Sequence, residues 1–335
     1  MDFLLDIGSF GAKVIILTVA LGVIVILISG MFRRREPEMG EITVELLDEQ
    51  YRSMGNSLKR AVLSKKELKE EDKKEQEREK GKDTKQRVFV LDFLGDMDAT
   101  MVQDLREQIT ALLQVATPED EVVMTLESEG GVYSNYGLAA SQLERLRQRK
   151  IPITICIDKV AASGGYMMAC LADKILAAPF AMIGSIGVIV SVPNANRLLK
   201  KLDLDYLELT AGEYKRTLTT FGEVTEKGKN KVLEELEDSH NLFKEHILRF
   251  RSQVKIEKVA TGEVWFGSRA LELNLIDELC TSDDYLFNKV DSAQIFKVNY
   301  SGQRSLRERM VSTFAEAGDK LLVRWWARLH KTRIQ

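Results

Sequence analysis

Three short apolar, β-branched runs recur about thirty residues apart through the middle of the chain: residues 88–93 (VFVLDF), 122–126 (VVMTL) and 153–157 (ITICI). A fourth, residues 174–178 (KILAA), follows closely. Amphipathic stretches of helical period separate the first three, and in one of them Tyr136, Ala139, Ala140, Leu143 and Leu146 share a face. Strands linked by helices at this spacing are parallel, because each crossover carries the chain back to start the next strand in the same direction. The fold class is therefore α/β, built from repeated β-α-β units. With 335 residues and 44% hydrophobic content, the chain can bury a large core in one or two domains.

Where the strand at 151–157 gives way to a helical stretch over 163–172, a lone serine, Ser163, stands between small residues and the pair Gly164-Gly165. A helix start exposes backbone N–H groups that lack partners and suit an oxyanion, and Gly164 lets a substrate backbone come close. The plain alternative is that Ser163 only caps its helix. Two further stretches weigh against that alternative. Residues 122–133 (VVMTLESEGGVY) read as a strand ending in a second amide-rich turn, at Gly130 and Gly131. Residues 207–217 (LELTAGEYKRT) place Lys215 after a strand-like segment. A serine, a lysine and a glycine turn are the nucleophile, base and oxyanion donors of a Ser-Lys hydrolase. Such a lysine must be neutral to accept a proton, so Lys215 is expected in an apolar pocket, away from carboxylates such as Glu213.

The segments SEGGV, ASGGYMMACLADKI, GSIGVI, GEYK and GEVWFGSRALELNLIDEL, in this order, resemble the signal peptide peptidase A family of serine peptidases. The charged region ahead of them is similar to the SohB branch of that family, and the likeness covers residues 87–286. The resemblance implies a ClpP/crotonase-like fold, Ser163 as nucleophile and Lys215 as general base. It implies an oxyanion hole from Gly131 and Gly164, or Gly130 as their neighbour, and a ring-like homo-oligomer. Together with a membrane anchor it also implies apolar peptide substrates, such as signal-peptide remnants or membrane-protein fragments. The apolar run around Ile183, Ile186, Val188 and Ile189 is the expected groove wall. One departure stands out: Glu129 occupies the place where the family's turn has proline, which removes a fixed φ and adds a charge near the groove.

Residues 14–32 form an uncharged run of 19, long enough to cross a bilayer as one helix, with no small-residue cleavage site after it. Arg33, Arg34 and Arg35 follow it directly, which by the positive-inside rule sets the body in the cytoplasm; the family resemblance implies a body facing outward from a bacterial inner membrane. Residues 41–64 can support a short helix, and of the 23 residues from 65 to 87, ten are basic and eight acidic, a solvated spacer or an arm for a partner. The expected division is 1–35 anchor, 36–86 juxtamembrane segment and charged linker, 87–290 Ser-Lys peptidase domain and 291–335 C-terminal extension. In that extension Trp325 and Trp326 lie among Lys320, Arg324, Arg328 and Lys331, suited to anionic lipid or to a neighbouring subunit.

A net charge of -3 carries no nucleic-acid signature, and no residue pattern suggests a metal, nucleotide or redox cofactor. Cys156, Cys170 and Cys280 sit in apolar segments and read as small buried hydrophobes. His240 and His246 lie in a long helical stretch, 225–252, opened by Thr225, and His330 lies in the tail; none is beside a glycine turn. Ser268 reads as the cap of a short helix. Three other functions share these features: a crotonase-like acyl-CoA enzyme, which would need neither Ser163 nor Lys215, a non-catalytic membrane scaffold, and a regulator acting through the charged linker.

Overall fold

The computed structural model describes residues 40–79 and 86–302. Nearly all of these belong to one compact unit, Ile42–Ser301. The expected anchor at 14–32, the arginines at 33–35, the end of the charged linker, His330 and the tryptophan-rich tail lie outside the described residues. No helix among the described residues is long and apolar enough to cross a membrane.

Ten strands among them form one sheet: β1 (Glu41–Leu46), β2 (Gln86–Gly95), β3 (Glu121–Ser128), β4 (Ile153–Ile157), β5 (Val160–Ala162), β6 (Lys174–Ala177), β7 (Met182–Gly184), β8 (Val264–Phe266), β9 (Glu278–Leu279) and β10 (Ala293–Ser301). The main path runs β1-β10-β2-β3-β4-β6-β9, and the ladders from β10 through β9 are parallel. At the end of β3 the sheet forks: Ser128 pairs with Ala161 of β5, β5 pairs in parallel with β7, and β7 pairs antiparallel with β8. The fork is what the site is built on.

Both faces of the main sheet are covered, which is why its strands read as almost unbroken apolar runs. Phe89, Leu91, Phe93, Met124, Leu126, Ile153, Ile155 and Ile157 point to one side. There they pack against α3 (Val102–Leu112), through Leu105 and Ile109, and against α4 (Tyr133–Gln148), through the five residues that share its face. Their sequence neighbours Val88, Val90, Val123 and Cys156 point to the other side, where Leu286 of α10 (Ser282–Lys289) and, from α1 (Leu47–Val62), Leu47 and Tyr51 cover them. Period-two alternation along each strand thus serves two cores at once. The first part of the spacer is helical, α2 (Lys65–Glu79), with Ser64 and Glu67 bonded to each other at its start.

The compact unit is wider than residues 87–290 at both ends. β10 inserts between β1 and β2, so residues beyond 290 complete the sheet, and β1 and α1 pack onto it from the amino-terminal side. Two local expectations do not hold. Residues 204–210 form no strand, because they reach no sheet edge and Leu207 and Leu209 stand 80% and 85% exposed. Ser268 is not a cap: its Oγ donates to the Pro179 carbonyl at 3.2 Å, and Phe266 precedes the short helix α9 (Gly267–Glu272). The long helix α7 (Glu226–Phe250) does open on Thr225, whose side chain accepts from Gly228 N–H.

At the far end of α7, buried Arg251 makes a two-pronged pair with Asp277, at 2.8 and 2.9 Å, and Asp277 also accepts from Ile175 N–H of β6 at 2.7 Å. Asp277→Ala leaves that guanidinium buried without its carboxylate, so a loss of about 3 kcal/mol is expected in chemical denaturation, whereas replacing both partners with apolar residues recovers most of it.

Candidate active site

Strand β5 ends at Ala162 and α5 (Gly164–Ala169) begins two residues later, so one residue must turn the chain. That residue is Ser163, at φ 51° and ψ -116°. A residue with a Cβ is strained there, by about 1–2 kcal/mol, and a sharp strand-to-helix turn of this kind lifts the nucleophilic serine of α/β-hydrolases clear of the sheet. Two backbone bonds hold the turn: Ser163 N–H donates to Gly184 O at 2.7 Å, and Ser163 O accepts from Met167 N–H at 2.9 Å. The hydroxyl makes no cap hydrogen bond, so Ser163 is not simply the cap of its helix.

The glycine turn after β3 lies directly against it. A Cβ on Gly130, at φ +90°, would sit 2.6 Å from Gly164 N and 2.7 Å from Ser163 Cβ. A Cβ on Gly164 would meet the ring of Tyr136, at 2.4 Å from its Cγ. The fold therefore gathers Ser163, Gly164, Gly130 and Gly131 from two separate strand ends. The amides differ: Gly130 N–H donates to Ser128 Oγ at 3.0 Å, whereas those of Gly131 and Gly164 have no acceptor among the described residues. Gly130 is thus a close-packed spacer in the turn, and two of the three expected donors remain free. Glu129 is exposed beside them.

Lys215 is elsewhere in kind. It is exposed in a loop, and its side chain makes no hydrogen bond or ion pair with the described residues, Ser163 included. The expected apolar pocket is not formed around it within one chain. Its neighbours are tied away from it: Glu213 pairs with Lys227 of α7, Lys227 and Lys231 lie over the Tyr214 ring, and Arg216 pairs with Glu208 at 3.4 Å. Lys159 and Lys174, nearer to Ser163 in sequence, are occupied by Glu127 at 2.8 Å and Glu278 at 2.6 Å.

Three residues that sequence reasoning passed over belong to this site. Ser128 and Tyr136 lie beneath the glycine turn, with Ser128 Oγ and Tyr136 Oη 2.6 Å apart. Ser185 follows Gly184, whose partner in the β5–β7 ladder is Ala162, so it stands beside Ser163 at the strand ends, with φ 50°. A serine directly after a strand's last small residue was the available signal in both Ser163 and Ser185. The expected groove wall needs correction: Ile183 and Ile186 are fully buried in the core, and only Val188, half-buried, and Ile189, exposed, face outward. Leu94, Met97 and Val132, all exposed at the ends of β2 and β3 next to the glycine turn, supply apolar surface instead.

The histidines are apart from this arrangement. His246 Nε2 lies 3.0 Å from Met167 O, beneath α5, and His240 has a buried nitrogen, Nε2, with no partner among the described residues. Burial holds the His246 ring below the usual imidazole range, with the Met167 carbonyl opposing it. Cys156 and Cys170 are buried and Cys280 partly so, all three are free thiols, and burial pushes each of them up.

A parallel sheet of β-α-β units, forked so that a strained serine turn meets a glycine turn, is the ClpP-like α/β architecture. Two family profiles fit the chain: Peptidase family S49 N-terminal over residues 2–143 and Peptidase family S49 over residues 145–295. A "Probable protease SohB" of Haemophilus influenzae is 43% identical over 340 residues, covering 97% of this chain and 96% of that one. Another "Probable protease SohB", from Buchnera aphidicola subsp. Acyrthosiphon pisum, is 51% identical over 232 residues, 69% of each chain. The H. influenzae "Protease 4" is 25% identical over 217 residues, 61% of this chain and 35% of its own. This chain belongs to peptidase family S49, as a SohB-type member.

Because the His246 ring takes its proton less readily folded than unfolded, its contribution to stability is present above about pH 6.5 and lost as pH falls through the lower folded value. His246→Gln should therefore flatten the decline in melting temperature between pH 7 and pH 5 relative to the parent protein.

Proposed function

We propose that this protein is a membrane-anchored serine endopeptidase, in which Ser163 is the nucleophile, Lys215 the general base, and the amides of Gly131 and Gly164 the oxyanion hole. The observation that carries the reading is the free Ser163 hydroxyl on a strained turn, packed against a second turn with an unpaired amide. Ser163 Oγ attacks the peptide carbonyl carbon while its proton passes to Lys215 Nζ. The tetrahedral oxygen is held by the two amides, and the C–N bond breaks as Lys215 returns the proton to the leaving amine. Water then attacks the ester carbon, giving its proton to the same lysine, and the C–Oγ bond breaks as Lys215 returns that proton to Ser163, releasing the carboxylic acid product.

In this proposal Lys215 reaches Ser163 of a neighbouring subunit in a ring-like homo-oligomer. Two facts support it: Lys215 is exposed in the single chain, and uncovered apolar side chains, Leu207 and Leu209, precede it in the same loop. Closing such a contact would strip water from the amine, which favours the neutral form that a base needs. Substrates would be apolar peptides, such as signal-peptide remnants or membrane-protein fragments, lying against Leu94, Met97 and Val132. The run at 14–32 would be the anchor, with Arg33, Arg34 and Arg35 holding the body on the cytoplasmic side. A second reading, a membrane scaffold without turnover, draws support from the same exposure of Lys215 and from Glu129.

Hydrolysis of a fluorogenic apolar peptide by the detergent-purified full chain decides between them. Ser163→Ala and Lys215→Ala should each lose at least about a thousandfold in kcat with assembly intact. Co-expression of the two variants should restore part of the activity, because a mixed ring pairs an intact serine with an intact lysine. Absence of restoration would place the base within one chain; absence of turnover in the parent, with Ser163 unlabelled by a fluorophosphonate, would favour the scaffold.

A further inference from the structure

Resting on the proposal that Ser163 and the Gly131 amide act together, we infer that Ser128 and Tyr136 are positioning residues that set the oxyanion turn through a buried relay of hydrogen bonds. Both are buried, Ser128 at 2% and Tyr136 at 0% exposure. Tyr136 Oη donates to the Asp96 carbonyl at 2.6 Å, which uses its one proton. The 2.6 Å contact between the two hydroxyls therefore has Ser128 Oγ donating to Tyr136 Oη, and Ser128 Oγ in turn accepts from Gly130 N–H at 3.0 Å. Each group has one direction available to it, and bonds donated in series strengthen one another.

The relay ends on the peptide that precedes the candidate donor. Fixing Gly130 N–H toward Ser128 sets one side of Gly130, and Gly130 at φ +90° then delivers the next amide, that of Gly131, with no acceptor among the described residues. The far side of the turn is held by Val132 N–H donating to Met97 O at 2.8 Å, one residue from the carbonyl that receives Tyr136. The ring of Tyr136 also packs under Gly164, so one side chain touches the supports of both amides. Glu129, between Ser128 and Gly130, is exposed and has no fixed φ of its own, so the turn gains from a brace beneath it. Burial keeps the Tyr136 phenol protonated, as the relay requires.

Tyr136→Phe deletes one oxygen and leaves the ring under Gly164; Ser128→Ala deletes the other hydroxyl. In the full-length detergent-purified protein, each should lower kcat for the fluorogenic peptide about tenfold or more with KM changed less than twofold. The rate of Ser163 labelling by a fluorophosphonate, whose P=O takes the oxyanion position, should fall in parallel, and the melting temperature should stay within a few degrees. Unchanged kcat and labelling rate in Tyr136→Phe, with Ser163→Ala inactive, would overturn the relay and leave the peptidase reading standing. Loss of KM and kcat together with a collapsed melting temperature in both variants would reduce these residues to core packing and also overturn it. Full activity in Ser163→Ala would remove the reading beneath both.

Discussion

The contact on which the rest depends is the apposition of two strand-end turns, with Gly130 pressed against the peptide between Ser163 and Gly164. Neither turn is stable in isolation: a left-handed serine is strained, and a glycine turn with an unpaired amide has lost a hydrogen bond to water. They hold each other because the fork in the sheet leaves no room for a side chain between them. The fork arises where β4 ends and the chain, two residues later, resumes as β5 beside the last residue of β3 and not beside its middle. From there Ser163 N–H donates to Gly184 O, and that bond, with the β5–β7 ladder, ties the serine's turn to the second, smaller branch of the sheet.

This arrangement explains why so much of the fold could be read from the chain and why parts of the site could not. The four strand runs and the helix face at Tyr136 were legible because each obeys a local period, two along strands and 3.6 along helices. The catalytic candidates on turns were legible because glycine pairs mark backbone that side chains cannot occupy. Ser128 and Tyr136 were not, because nothing local distinguishes a hydroxyl that faces a turn 40 residues away from one that faces solvent. Ile183 and Ile186 were misplaced for a related reason: an apolar run does not say whether its neighbours are core or groove, and here the second branch of the sheet buries them. The ends of the unit were also missed, since β10 earns its place only by pairing with β2, 207 residues upstream at the Ala293–Gln86 pair.

Lys215 shows the opposite failure, a residue whose sequence context is informative and whose surroundings in one chain are not. Its loop is not loose. Glu213 is paired with Lys227, and the Tyr214 ring lies under Lys227 and Lys231, so the two residues before the lysine are fastened to the first turns of α7. Exposed ion pairs of this sort contribute little to stability individually, about 0–1 kcal/mol each, yet they fix direction. The loop is thus held in place while Lys215, Leu207 and Leu209 face outward, the arrangement that the proposed contact between subunits calls for.

That division of labour has a chemical logic. A neutral lysine requires removal from water, and a buried unpaired amine inside a monomer would oppose folding of that monomer. In the proposed dyad, a base on an outer loop and a nucleophile on an inner turn would defer the desolvation to assembly, where apolar side chains such as Leu207 and Leu209 would offset it. On that proposal the strained serine, the paired turns and their buried relay would be complete in each folded chain, while activity would wait on contact between chains: an isolated subunit would hold a formed oxyanion turn but no base with which to use it.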